Sequence, residues 1–228
     1  MRLLRLIALS LCLLIGISTG FTQDTSDSRL LEQAEVFVQQ ANYKKALDLY
    51  SFYIRFHPHS IEALSERAVV YATLRNFDMA YNDIYQAFDI AGFSAVDQAI
   101  IHNNRGQIYY LASDREHALE DFSRAIELNP TVADYWLNRA ILYQVMEDWD
   151  HALADYQSYL NLSPQDSEAY LNMARIYLAQ QDFASAIDEL SSAISITPDD
   201  PELYIFRGSL NLLQKTYADA ARDYQSWM

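Results

Sequence analysis

The sequence predicts an all-α fold made of repeated helix pairs, and three observations carry that expectation. Alanines stand at 46, 80, 118, 152, 186 and 220, so successive gaps are 34, 38, 34, 34 and 34 residues. Nine residues before each alanine lies Phe37, Tyr71, Tyr109, Tyr143, Tyr177 or Asn211. Pro130, Pro164 and Pro198 repeat the 34-residue interval, and Pro58 joins them once four inserted residues are allowed. A fixed period of this size marks stacked supersecondary units, each burying its apolar face on its neighbours. Both marker sets place the insertion between Ala80 and Ala118, around Gly92 to Gln98. It is expected to re-aim one helix pair against the next, with a binding loop as the alternative.

Each unit reads as two helices. In the unit from Ala133 the first covers about 134–146, with Trp136, Ala140 and Tyr143 on one stripe at spacings of four and three. Asp148 then offers a side-chain oxygen to the open amides of the second helix. The same slot holds Asn42, Asn76, Asp114, Asp182 and Thr216, all competent caps. The second helix buries Ala152, Tyr156 and Tyr159 and stops before Pro164, which cannot continue it. The alanine is small because two helices cross there, and a bulkier side chain would separate them.

These residues resemble the tetratricopeptide repeat family, whose pattern runs W-x2-L-G-x2-Y, then A-x3-F, then P. One unit carries Trp136, Ala140, Tyr143, Ala152, Tyr156 and Pro164; the preceding unit carries Gly106, Tyr109, Ala118, Phe122, Ala125 and Pro130. The resemblance covers residues 27–228, with units starting near 27, 61, 99, 133, 167 and 201, the last one truncated. It implies a right-handed α-solenoid of antiparallel helix pairs, with first helices lining a concave face.

The chain departs from the family pattern at its leucine, which becomes Arg67, Arg105, Arg139 and Arg207. Sixteen residues after each comes Asp83, Asp121, Asp155 and Asp223, whereas Met173 is followed by Glu189 and Gln33 by Leu49. A partly buried guanidinium is costly alone, so arginine and aspartate are expected to pair between the two helices of a unit. In the stretch NRGQIYY, Arg105 thus braces Asp121, Gly106 lets the helices approach and Tyr109 fills the crossing.

With the family's geometry, the concave lining includes Leu31, Glu35 and Val38, then Asn103, Gln107, Tyr110 and Leu111. Leu137, Ile141 and Gln144 follow, then Leu171, Arg175 and Leu178, then Ile205, Leu212 and Leu213. Asn104, Asn138 and Asn172 recur at its edge, and an asparagine amide can grip the backbone of an extended ligand. The face reads as apolar with polar rungs and favours a bound peptide or partner helix. The lysines of a carboxylate clamp are missing, so capture of a chaperone tail is not expected.

The first 20 residues read as a secretory signal. Arg2 and Arg5 precede an apolar run from Leu6 to Ile17, and Ser18, Thr19 and Gly20 offer a cleavage site. The alternative is an uncleaved anchor, and a membrane partner is expected only in that case. Residues 21–26 are expected as a short segment before the repeats. Leu11, before Cys12, argues against a lipoprotein signal. Cys12 is the only cysteine, so an exported chain would have no disulfide and no thiolate chemistry. The expected location is periplasmic, envelope-associated or secreted.

The 228 residues are 51% hydrophobic and 21% charged, with a formal charge of −15 that argues against nucleic acid as partner. His57, His59, His102, His117 and His151 form no metal-ligand spacing, the glycines are isolated, and the carboxylates are scattered. No catalytic residue, metal or cofactor is expected. Tyr217, Ala221, Tyr224 and Trp227 lie near a last unit that reads as uncapped. Self-association through Tyr224 and Trp227 is therefore the alternative to peptide binding.

Overall fold

The computed structural model describes residues 23–226, and within them the chain is an α-solenoid of twelve helices. In order these are α1 (Gln23–Gln39), α2 (Tyr43–Phe56), α3 (Ile61–Thr73), α4 (Phe77–Ala91), α5 (Ala95–Leu111), α6 (Arg115–Leu128), α7 (Ala133–Val145), α8 (Trp149–Leu162), α9 (Ser167–Ala179), α10 (Phe183–Ile196), α11 (Pro201–Leu213) and α12 (Tyr217–Ser226). Odd-numbered helices are the first members of pairs. Each packs on its own second helix, and each second helix packs on the next first helix. The signal segment, Cys12 and Trp227 lie outside the described residues. Among the described residues, no helix is long and apolar enough to cross a membrane. α1 begins at Gln23, inside the segment expected to precede the repeats, because no Gly or Pro between Gln23 and Gln40 interrupts it.

The crossing alanines Ala46, Ala80, Ala118, Ala152, Ala186 and Ala220 are all buried, so the second helix of each pair sits close on the first. Around them pack Tyr50, Ile84, Phe122, Tyr156 and Leu190, with Ile101, Ile108, Leu142 and Ile176 from the first helices. Each such side chain contributes about 1.5–3 kcal/mol by leaving water. Gly106 shows why bulk is excluded: a Cβ there would lie 2.7 Å from the Phe122 ring.

One backbone device makes every turn within a pair. Ala41, Arg75, Ser113, Glu147, Gln181 and Lys215 all have positive φ, between 54° and 67°. The amide after each bonds five residues back, as in Asp148 N to Tyr143 O at 3.0 Å, and its own amide bonds three back. This Schellman closure satisfies the last carbonyls of the first helix and reverses the chain. The acceptors are the carbonyls of Phe37, Tyr71, Tyr109, Tyr143, Tyr177 and Asn211, the residues that lie nine before the alanines.

The next residue caps the second helix in four of the six units. Asn76, Asp114, Asp148 and Asp182 each accept from the amide three residues on. Asn42 makes no such bond, and the Thr216 hydroxyl turns back to Asn211 instead. Asn211 is buried where earlier units carry an aromatic ring, and its amide needs those polar partners.

The insertion becomes helix, not a loop. α5 has 17 residues against 13 in α3, α7, α9 and α11, so the four extra residues add about one turn. Gly92, at φ 55°, ends α4, and the Ser94 hydroxyl caps the lengthened helix. α3 and α5 then lie directly side by side.

Candidate interaction face

The arginine slot is structural. Arg67, Arg105 and Arg139 hold Asp83, Asp121 and Asp155 through Nε at 2.7 Å and Nη2 at 2.8–2.9 Å. Arg207 grips Asp223 from Nη2 at 2.6 Å and from Nε at 3.2 Å. All four aspartates are buried. The guanidinium also reaches back into the preceding unit: Nη1 of Arg67, Arg139 and Arg207 donates to Ser51, Ser123 and Ser191 at 2.9–3.1 Å. These serines lie sixteen residues before their arginines, a second use of the same spacing.

Arg105 departs from that pattern, because the serine slot, five residues after the crossing alanine, holds Tyr85 in the preceding helix. Among the described residues no serine serves Arg105; instead its guanidinium lies 4.7 Å from the Phe88 ring centre, and His102 Nδ1 joins Asp121 at 2.8 Å. Burial disfavours charge on Asp121, but hydrogen bonds from Arg105 and His102 outweigh it and hold its pKa below the usual range. A cleft beside this group is lined by His102, Arg105, Asp121 and Ser123. Its His–Asp–Ser content is not a nucleophilic triad, because Asp121 is committed to Arg105 and the Ser123 oxygen accepts from Arg139. His117 and His151 stack on Tyr109 and Tyr143 and pair with the capping Asp114 and Asp148.

On the face made by the first helices, the expected rungs form a directed chain. Asn138 Nδ2 donates to Asn103 Oδ1 at 2.8 Å, Asn103 Nδ2 to Asn104 Oδ1 at 3.0 Å, and Asn104 Nδ2 to Glu66 Oε1 at 3.2 Å. It ties α7, α5 and α3 together, with every donor pointing towards the Glu66 carboxylate. Asn103 and Asn104 are buried, so their amides serve this chain. Asn172 lies outside it and accepts from Arg175 at 2.9 Å, while Arg175 also pairs with Glu168 at 3.1 Å. Gln144 accepts from the Tyr156 hydroxyl at 2.7 Å.

Glu66 sits among like charges. Burial first, then Glu35, Glu62 and Asp134, push its pKa up to about 7 against the pull of Asn104. The same end of the face carries Glu32, and Glu35 too is raised by burial and by Glu62 and Glu32. Towards the other end the face turns apolar. Leu137, Ile141, Leu171 and Leu178 are half-buried against the cores beneath, Gln107 and Leu111 are half-buried, and Tyr110 stands at the edge. Ile205 and Leu212 are 41% and 45% exposed. Tyr224 packs its ring against Gly208, with its hydroxyl 3.2 Å from Ser209.

Family comparison agrees with this geometry. Two tetratricopeptide repeat profiles match the chain, over residues 106–176 and 146–210. Together the two profiles span residues 106–210, a little under half of the chain. Among solved structures, PilW, a type IV pilus biogenesis factor, superposes with a TM-score of 0.67 at 20% identity, covering 88% of this chain and 91% of PilW. Pseudomonas aeruginosa PilF gives a TM-score of 0.66 at 17% identity, covering 88% and 89%. A thermophilic tetratricopeptide repeat protein from Thermus thermophilus, TTC0263, gives 0.63 at 20% identity, covering 82% and 99%. At these identities the likeness speaks to the fold alone. No curated protein sequence gives a significant match, and the comparisons indicate no catalytic family.

Proposed function

We propose that this chain is a non-catalytic, exported scaffold that binds a peptide or partner helix along its first-helix face. The observation that carries the reading is the run of apolar side chains left incompletely covered there, from Leu137 and Ile141 through Leu171 and Leu178 to Ile205 and Leu212. Tetratricopeptide repeats bind protein partners through such surfaces, and a helical or extended segment would complete their burial. Export rests on the basic start and apolar run of the first 20 residues.

The test is selection from a display library of random dodecapeptides. The unaltered chain is expected to enrich a family of apolar sequences. Leu137→Arg combined with Leu178→Arg should lose that enrichment while helical circular dichroism stays intact. Unchanged selection by the double variant would sink the reading.

A second reading, self-association through the last repeat, is favoured by Leu213 and Tyr217, which are 63% and 64% exposed. It adds these residues to the contact expected through Tyr224. Tyr217→Asp should then turn a dimer into a monomer in light scattering, and an unchanged mass would rule this out.

A further inference from the structure

Each repeat leaves a surface that the next first helix covers, and among the described residues the α11–α12 end presents that surface uncovered. Ala169, Met173 and Ile176 of α9 are buried in one cluster with Ala140 and Tyr156 of the pair before it. Leu203 and Leu210 of α11 likewise share a cluster with Ala174 and Leu190, with Leu171 and Leu178 packed against it. Thirty-four residues on, these last four places hold Gly208, Tyr224, Ile205 and Leu212. Ile205 and Leu212 are exposed, and Tyr224 is half-buried where Leu190 is fully buried. The Tyr224 ring lies 3.1 Å from where a Cβ on Gly208 would stand, and its hydroxyl is 3.2 Å from Ser209. Ile205, Ser209 and Leu212 follow one helical stripe, so both helices contribute to a single surface.

The helices that cover such surfaces share a pattern. Their buried residues stand seven apart, as in Ala63 and Val70, Ile101 and Ile108, or Ala169 and Ile176. The residue three before the second of each pair varies with the helix beneath. Where that helix carries Ser51, Ser123 or Ser191, it is Arg67, Arg139 or Arg207, bonded to the serine. Gln157 holds the serine slot beneath α9, and there the residue is the buried Met173. Gln225 holds that slot in α12, so the surface suits an apolar residue at this point as well.

A second copy of the chain does not present this pattern. α1 has no pair before it among the described residues, and it carries Arg29, Gln33 and Val36 at the three positions. Its arginine would enter the apolar surface without an acidic partner. In the later first helices the seven-apart residues are already buried.

We propose that the α11–α12 end is a docking site for one amphipathic helix of another protein, with apolar side chains at i, i+4 and i+7, seated as a further first helix would be. This rests on the helix-binding reading above and fixes the contact at the carboxyl-terminal end of the first-helix face. Its template is the packing of α9 on the repeat before it.

A fluorescein-labelled peptide copying residues 166–179, which adds the capping Asp166 to α9, is the probe. A copy with Met173→Asp and Ile176→Asp is its control. So short a helix is marginal alone, so binding to the full chain should raise both its anisotropy and the helical circular dichroism. The control should bind at least tenfold more weakly, and Ile205→Asp with Leu212→Asp in the chain should cost the probe a similar factor. Both chain positions are exposed, so the melting temperature of that variant should hold. No binding of the probe, equal binding of the two peptides, or undiminished binding to the variant would each overturn the docking site. Continued selection of apolar dodecapeptides in those cases would leave the groove reading standing. A chain that is dimeric through this end and stays dimeric at saturating peptide would assign the surface to a second copy, and the proposal would fall. If the probe behaves as expected while Leu137→Arg with Leu178→Arg selects dodecapeptides normally, the groove reading fails and the docking site stands.

Discussion

Arg139 holds Asp155 from Nε and Nη2 at 2.7 and 2.9 Å, joining the two helices of one repeat across sixteen residues of sequence. Its third nitrogen reaches Ser123 in the repeat before, so one side chain fixes both the angle within a unit and the seat of that unit on its neighbour. The aspartate is buried, and breaking a buried pair is costly to the fold. Removing either partner strands the other: Arg139→Leu or Asp155→Leu should each destabilise by about 3–5 kcal/mol, and the double variant should recover most of that loss. Denaturant titration of the four proteins measures the coupling, and additive losses would contradict the pairing.

The Arg105–Asp121 pair should behave differently, because His102 shares its carboxylate. Arg105→Leu with Asp121→Leu leaves His102 without its partner, so recovery in that cycle should be the smaller of the two. Adding His102→Phe to the double variant should restore the difference. An equal recovery in both cycles would show that His102 contributes nothing there.

Gly106 and Phe122 form a contact with no spare room. A methyl at residue 106 would come within 2.7–2.8 Å of two ring carbons, and the ring itself is buried. Gly106→Ala should therefore destabilise by about 1–3 kcal/mol despite its better helix propensity. Combining it with Phe122→Leu should return part of the loss. Thermal unfolding of the single and double variants decides this, and a stabilised Gly106→Ala would refute the clash.

Much of this was legible in the sequence because the repeat itself supplies distances. The arginine and aspartate recur at one offset, so their pairing could be read before any coordinate. The crossing alanines and four of the six caps were readable for the same reason. His102 and Asp121 lie nineteen residues apart, an offset at which the other arginine-bearing units place Leu64, Trp136 and Tyr204 before the aspartate, so no recurrence marked the pair. The serine contacts did follow the period, but serine is too common for three copies to stand out. Asn103 and Asn104 read as ligand contacts because their helix face was right; that they bond each other depends on side-chain direction, which spacing does not encode.

The left-handed residue in each turn offers a stability test remote from any site. Glu147 sits at φ 59°, where a side chain costs about 1–2 kcal/mol and glycine costs little. Part of the gain on replacement is offset by the greater freedom of glycine in the unfolded chain. Glu147→Gly should therefore stabilise by about 0.5–1 kcal/mol in urea titration, and a loss would mean that the exposed carboxylate makes a compensating interaction.

Glu66 should make stability depend on pH with the opposite slope to an ordinary paired carboxylate. Its pKa rises from 4.5 to about 7 because burial and the charges of Glu35, Glu62 and Asp134 outweigh the hydrogen bond from Asn104. The folded chain thus keeps a proton that the unfolded chain has already released. Its contribution is fully present below pH 4.5 and is lost as pH rises through about 7, a change on the order of 3 kcal/mol. Glu66→Gln removes the titrating group while keeping an acceptor for Asn104. Between pH 5 and 8 the variant should lose this decline and be the more stable protein at the upper end. Urea midpoints measured across that range check the slope, and parallel curves for the two proteins would exclude Glu66 as its source.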